Sequence, residues 1–481
     1  MNLREQLEGA SAGDQPAARR NAINAAVAAV GVLLLAAAVT FGLGGAFASR
    51  TALAWTGAYL ANALLLAGLV LALRLGRPSV FESRSSLALL MGMLLIVVIA
   101  AAVAARVRPD APELVPVAFI GVVASALYDR RLSVAMIALA SALIVAQPAY
   151  GSDAALYVML MSGGAAALVV RPTSQRDQSY VWMLVIAVAT AAMLAATELA
   201  AGQAAHELLL DVARAAGTAV VSVMAAMLLM PFAERLTGRQ THLTLLEWGD
   251  LNRPLLQRLS LEAPGTYAHT IAIANLAEAA CRAIGANALL ARVGAYYHDI
   301  GKLAKPQYFV ENQPRGRNLH DKLKPNTSAS IIRNHIREGL ELAEGEHVPS
   351  SIRAFITEHH GTGTIAYFME KARERDGVPP NAAEYTYPGP VPQSAETAVV
   401  MLADGVEAAA RTLTEPTPER IRDVIDSVVR QRLEQGQLRD APITLRQLSV
   451  VKREFARVLG GMYHGRVDYP TPTVPVEAVR R

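Results

Sequence analysis

His298 and Asp299 stand side by side in "AYYHDIGKLAKP" (295–306), with Gly301 and Lys302 directly behind them. An imidazole next to a carboxylate becomes chemistry only if other ligands converge on the pair. The chain has ten histidines. His269 lies 29 residues before His298, His335 follows in "SIIRNHIREG", and His359 and His360 stand together in "TEHHGTG". Asp404 sits in "VVMLADGVEAA", among apolar neighbours where a carboxylate without a partner is costly. Each piece alone has an ordinary reading: a helix end, a surface histidine, a helix cap or an arginine partner. Together they read H…HD…H…HH…D over five predicted helices. Imidazole and carboxylate without thiolate suit Fe, Mn or similar octahedral ions better than structural zinc. Asp299 is the expected bridge, since His298 can serve one ion while its neighbour reaches two. His206, His242, His320, His347 and His464 lack such companions and read as ordinary polar residues. The single cysteine, Cys281, excludes an intramolecular disulfide and a Cys-rich metal site, and reads as a small buried apolar residue.

The elements that must position these ligands are amphipathic helices, which follow one another from about 250. "TYAHTIAIANLAEAACRAIGAN" reads as one helix, with Gly285 near its end. "ALLARVGAYYHDIGK" reads as the next, ending at the His-Asp pair. Later helices are expected over 326–345, 349–360, 364–376, 393–413, 417–435 and 444–461. The stretch 377–393 holds too many Pro and Gly for regular structure, and the tail from about 465 is expected to be loose.

The first half has a different grammar. Of 481 residues, 53% are hydrophobic and 18% charged, and the mean hydropathy is +0.29. That is too apolar for a wholly soluble chain and too charged for a purely membrane one. No lysine occurs before Lys302. Apolar runs recur at 23–43, 53–73, 87–105, 114–128, 132–147, 154–170, 181–197 and 215–232. Several reach the roughly 18–20 residues of a bilayer-crossing helix; the fourth and fifth are short, and Pro116 interrupts the fourth. With eight spans and an inside N-terminus, twelve arginines fall inside and four outside (Arg50, Arg106, Arg108, Arg214). Both termini are then expected on the inside. Glu5, Glu8 and Asp14 ahead of a full-length span argue against a cleaved signal peptide. The net charge of +4 is read as membrane topology and not as a nucleic-acid footprint. The expected fold class is all-α. It divides into an N-terminal tail (1–20), a transmembrane domain of about eight spans (21–233), a connecting helix (234–259), a ligand-bearing helical domain (260–465) and a tail (466–481).

These residues resemble a known family. The ordered ligands and "HDIGK" are similar to the HD superfamily of metal-dependent phosphohydrolases. "LNRPLLQRLSLEAPGTYAHTIAIANLAEAA", "LLARVGAYYHDIGKL", "YFVENQ", "HDKLKPNTSASII", "EHHGTGTIAYF" and "YPGPVPQSAETAVVMLADGVEAAAR" look like the membrane-anchored seven-transmembrane HD phosphodiesterases that hydrolyse cyclic di-AMP. That family usually carries a large extracellular domain after its first span, where this chain has only about 44–52. The Gly-Tyr-Pro signature of related cyclic di-GMP enzymes is missing from "HHGTGTIAYF". The resemblance implies two divalent ions, Fe or Mn. His269, His298, Asp299 and Asp404 would hold one; Asp299, His335, His359 and His360 the other, although His360 could instead touch phosphate. The ions would activate water for in-line attack at phosphorus. The ribose 3′ oxygen leaves, giving linear pApA. Asp299 and Lys302 are the catalytic candidates, Lys302 as a positive charge on the phosphate.

Substrate contacts are expected from Lys302, Gly361, Thr362, Gly363 and Tyr367, with Tyr385 or Tyr387 also able to stack on a purine. The partners implied are cyclic di-AMP and the lipid bilayer, with a homodimer left open and no nucleic-acid polymer. The place implied is a bacterial inner membrane, with the HD domain cytoplasmic. The rival readings are another signalling nucleotide, such as cyclic di-GMP or an alarmone, or a silent cyclic-dinucleotide receptor.

Overall fold

Apolar runs without a polar face can satisfy their backbone only as helices when lipid surrounds them. The computed structural model describes residues 3–44, 51–109, 111–171, 178–202, 205–314 and 318–462, and among these no named strand forms. The chain divides into two units between Thr244 and Leu245. The expected N-terminal tail enters the first helix directly from Leu3, and the expected C-terminal tail lies outside the described residues.

The first unit comprises α1 (Leu3–Gly44), α2 (Ala52–Gly76), the single turn α3 (Pro78–Phe81), α4 (Arg84–Val107), α5 (Val117–Leu127), α6 (Arg130–Val145), α7 (Asp153–Val169), α8 (Gln178–Ala200) and α9 (Ala205–Thr237). Thr51, Ser83, Asp129 and Ser152 start α2, α4, α6 and α7 by accepting a backbone N–H of the first turn. Five helical segments are long and apolar enough to cross a membrane: Ala22–Leu43, α2, α4, α8 and Leu208–Thr237. Their outer faces carry large exposed apolar side chains such as Leu34, Leu64, Val188 and Leu228, as a lipid-facing surface requires. This is a membrane protein.

The expected short run 114–128 behaves differently. A 3-10 turn at Pro112–Leu114 precedes Pro116, and α5 then runs for 11 residues. At 1.5 Å per residue that is about 16 Å, roughly half the hydrocarbon core. Nine of its residues are buried, so other helices enclose it. A Cβ on Gly121 would come within 2.5 Å of Ala166 Cβ, which shows how closely α5 approaches α7. Arg77 ion-pairs with Asp129, and the Arg239 guanidinium lies 4.8 Å over the Tyr128 ring. Elsewhere in the unit Arg108 meets Asp211 at 2.8 Å, and Arg214 pairs with the same carboxylate.

The second unit comprises α10 (His242–Trp248, begun in the first), α11 (Pro254–Glu262), α12 (Pro264–Ile284), α13 (Ala288–Tyr297), α14 (Pro325–Gly345), α15 (Ser350–Glu358), α16 (Ala366–Asp376), α17 (Ala395–Ala410), α18 (Pro418–Glu434) and α19 (Leu445–Met462). The expected helices are present within a few residues. Helix α12 ends in a left-handed Gly285 (φ 75°), and Asn287 caps α13. A Ser394–Thr397 capping box starts α17. Val399, Val400, Met401, Leu402 and Ala403 are consecutive and fully buried, so α17 is the central helix, apolar on every side. Each such Val, Leu or Met stabilises the fold by about 1.5–3 kcal/mol. Cys281 is fully buried in the same core, and burial pushes its thiol pKa up.

Candidate metal centre

The His-Asp pair does not sit inside a helix. Helix α13 stops at Tyr297, and a 3-10 turn begins at Ile300. Gly301, in that turn, sets the approach of the next ligand helix: a Cβ there would lie 1.8 Å from the His335 carbonyl oxygen. Only glycine lets α14 come this close, and the approach brings His335 onto Asp299.

Asp299 divides its two oxygens between two groups of imidazoles. Oδ1 lies 3.5 Å from His335 Nε2 and 3.7 Å from His359 Nε2. Oδ2 lies 3.2 Å from His298 Nε2 and 3.6 Å from His269 Nε2. Asp404, from α17, reaches His269 Nε2 at 3.1 Å. Donor atoms cluster within 4.8 Å in three sets: His269–His298–Asp404, His298–Asp299–His359 and His335–His359–His360. His298 Nε2 and Asp299 Oδ1 are buried with no hydrogen-bond partner. Buried lone pairs without donors are what a cation would satisfy, so the residues fit metal ions.

The ring orientations agree. His298 Nδ1 is 2.7 Å from the Ala295 carbonyl and His359 Nδ1 is 2.8 Å from that of Phe355, while His335 Nδ1 meets Ile332. Each carbonyl accepts the Nδ1 proton and leaves Nε2 free to ligate. His269 differs: its Nδ1 lies 2.7 Å from Glu407 Oε2, and Arg411 holds that carboxylate, with Nη2 at 2.7 Å from Oε1.

Burial opposes the Asp299 charge, but His298 and Lys302 outweigh it and hold the carboxyl well below its ordinary value. Asp404 is also lowered, burial being outweighed chiefly by its bond from His269. Burial pushes His359 down to about 3 and lowers His335 and His360 too. These rings stay neutral at ordinary pH, as ligands must. His269 goes the other way: burial is outweighed by its bonds to Asp404 and Glu407, which raise it to about 9.

All seven expected ligands come together. Lys302 stands beside the centre, between two carboxylates. Its Nζ lies 2.7 Å from Asp299 Oδ2 and 2.7 Å from Glu311 Oε1. Two carboxylates answer its charge, and it holds Asp299 in place. Gly361, Thr362 and Gly363 form the turn after His360, and Gln437 holds it by accepting from the Thr362 N–H at 3.0 Å. Tyr367 is 63% exposed and packs on Phe368 and Lys371. Tyr385 is buried with Ala329, Phe368 and Ala372, which leaves no face for a purine. Tyr387 gives one ring face to His360, 4.2 Å away and 21° from parallel.

Sequence reading missed Glu407 and Glu311. Glu407 stands three residues after Asp404, on the same helix face, a spacing that could have marked it. Glu311 lies in "YFVENQ", and nothing in its spacing points to Lys302.

A family model described as "7TM receptor with intracellular HD hydrolase" matches residues 52–241, and one described as "HD domain" matches 266–409. The first segment holds α2 to α9 of the described helices. The HD domain is a metal-dependent hydrolase fold. The cyclic-di-AMP phosphodiesterase PgpH of Bacillus subtilis (strain 168) is 43% identical over 249 residues, 52% of this chain and 35% of that protein. The cyclic-di-AMP phosphodiesterase PgpH of Listeria monocytogenes serotype 1/2a (strain 10403S) is 42% identical over 241 residues, 50% of this chain and 33% of that protein. The solved HD domain of L. monocytogenes phosphodiesterase PgpH in complex with cyclic-di-AMP is 43% identical, covering 45% of this chain and all of that one, with a TM-score of 0.43. The chain spans about a third of the length of these two curated relatives. The chain thus matches both family models, the membrane segment first and the HD segment after it.

Proposed function

We propose that this chain is a membrane-anchored, two-metal phosphodiesterase that opens cyclic di-AMP to linear pApA on the cytoplasmic side. The observation that carries this is Asp299, whose two oxygens face two separate imidazole sets. His269, His298, Asp299 and Asp404 would hold one ion, and Asp299, His335, His359 and His360 the other. Oxygen and imidazole donors favour Fe or Mn. Two such ions, when bound, lower the pKa of a water and neutralise charge on the attacked phosphate and the departing oxygen. The chain's own residues prepare that. Asp299 and Asp404 stay ionised, His335 and His359 stay neutral, and three carbonyls and Glu407 fix the rings. Water adds to phosphorus, the bond to the ribose 3′ oxygen breaks, and that oxygen takes up a proton.

The adenine preference is drawn from the relatives, which are named cyclic-di-AMP phosphodiesterases. The cytoplasmic side is drawn from the arginine asymmetry. It is supported by the way Arg77, Tyr128, Asp129 and Arg239 group together, and Arg108, Asp211 and Arg214 likewise, because each group joins loops that the arginine count puts on one side. The membrane implied is a bacterial inner membrane.

The test is to incubate the purified full-length chain with Mn²⁺ or Fe²⁺ and cyclic di-AMP, cyclic di-GMP and other signalling nucleotides, then resolve the products by chromatography. Formation of pApA with the highest kcat/KM is the expected result. Faster conversion of cyclic di-GMP would overturn the adenine assignment, and binding without turnover would make the protein a receptor.

A further inference from the structure

Arg432 lies on α18, a helix that supplies none of the ligands. Its guanidinium still lies against backbone next to two of the candidate ligands. A Cβ on Gly363 would lie 3.4 Å from Arg432 Nη1, and one on Gly405 would lie 3.9 Å from Nη2. Gly363 closes the turn after His360, and Gly405 directly follows Asp404. The cation therefore rests on the two backbone segments that carry ligands of both sets. The same end of α18 fixes that turn: the Gln437 N–H donates to the Arg432 carbonyl at 3.0 Å, and Gln437 Oε1 accepts from Thr362.

Arg432 is poorly satisfied where it stands. Among the described residues it has no carboxylate partner. Its Nε is buried without a hydrogen bond, and Nη1 makes one long bond of 3.4 Å to Gln435 Oε1. A guanidinium has five donors in a planar fork. A partly buried one left this open calls for an anion that arrives with the ligand.

A cyclic dinucleotide carries two phosphodiesters, and cleavage engages one. The second is an anion held close by, and Lys302 is already committed to Asp299 and Glu311. We infer that Arg432 binds the uncleaved phosphate of the dinucleotide through paired hydrogen bonds, as guanidinium does with phosphate. This rests on the reading of the chain as a cyclic-dinucleotide phosphodiesterase. It makes Arg432 a substrate-binding residue that selects for a ligand with two phosphates, whichever purine it carries.

The experiment compares purified full-length wild type with Arg432→Ala and Arg432→Lys. It reads metal per chain, binding of radiolabelled cyclic di-AMP in the cold, and steady-state turnover. Arg432→Ala should keep its metal and lose affinity by about 10–100-fold, the loss expected for charge-assisted hydrogen bonds. The same factor should appear in KM, with kcat changed by less than about threefold, as expected when binding is lost equally in ground and transition states. Arg432→Lys should recover part of the affinity. Unchanged binding, or loss of metal together with kcat, overturns the assignment. A wild type that binds without cleaving would sink the hydrolase reading but leave Arg432 standing, provided Arg432→Ala weakens binding. A wild type that neither binds nor cleaves any cyclic dinucleotide ends both.

Discussion

On one side of Asp299, His335 and His359 are each fixed by a bond to a carbonyl of their own helix. On the other, His269 on α12 is fixed by Glu407 on α17, itself gripped by Arg411. A ring tied to its own helix keeps its aim as long as that helix stays formed. A ring tied to a carboxylate on another helix keeps its aim only while the two helices stay docked, and becomes more basic as well. The two halves of one centre should therefore fail in different ways.

Asp299→Asn attacks what the halves share and should have the largest effect. Both ions are lost and turnover falls by more than about 10³-fold, because the charge that bridges two cations is gone. Metal per chain and hydrolysis rate, measured on the same sample, decide it; a variant with both ions and near-normal activity would take Asp299 out of the centre. Next comes Lys302→Met. It leaves Glu311 buried without its cation and should destabilise the metal-free chain by about 3 kcal/mol. The metal-loaded chain should lose less, since cations then answer Asp299. Chemical denaturation with and without metal is the measurement, and equal losses would mean that Lys302 does not act through Asp299.

Glu407→Gln separates the halves. Affinity on the His269 side should fall by about 10–100-fold, the usual cost of removing a carboxylate behind a ligating histidine, with the other side unchanged. In a metal titration one step should move and one stay. Weakening of both steps together would erase the distinction between the two sides of Asp299.

The smallest effect is on pH dependence of the metal-free chain. The pKa of His269 is raised from 6.5 to about 9 in the folded state. Its contribution to stability is therefore complete below about pH 6.5 and is lost as pH rises through about 9. His335 and His359 are lowered, so their effect has the opposite sign: stability falls as pH drops below 6.5. The melting temperature of the metal-free chain should decline on both limbs, by about 2–4 °C per kcal/mol in a domain of this size. Glu407→Gln should flatten only the alkaline limb; flattening of the acid limb instead would show the assignment reversed.

The convergence of the candidate ligands was legible because a few residue types recur in a fixed order along strongly periodic helices. His269, His298, Asp299, His335, His359, His360 and Asp404 needed no tertiary information beyond that. The carboxylate partners of Lys302 were not legible, for the opposite reason. Whether a lysine faces solvent, substrate or a carboxylate depends on what the chain brings back to it, here Glu311 nine residues later. Arg432 was invisible because α18 carries no ligand and reads as an ordinary charged amphipathic helix. In the membrane half, hydropathy located α5, but length and burial had to come from packing. Nothing in "VPVAFIGVVASALY" says that neighbouring helices enclose it.

Cys281 has a use unrelated to the chemistry around it. The only thiol of the chain is fully buried, and its raised pKa keeps it protonated. Protonated, inaccessible thiols do not react with alkylating reagents. This chain is thus already a blank background for labelling. A cysteine introduced at Gly151, between α6 and α7, would be the sole group to answer a membrane-impermeant maleimide, and would report from which face of the bilayer that connection can be touched.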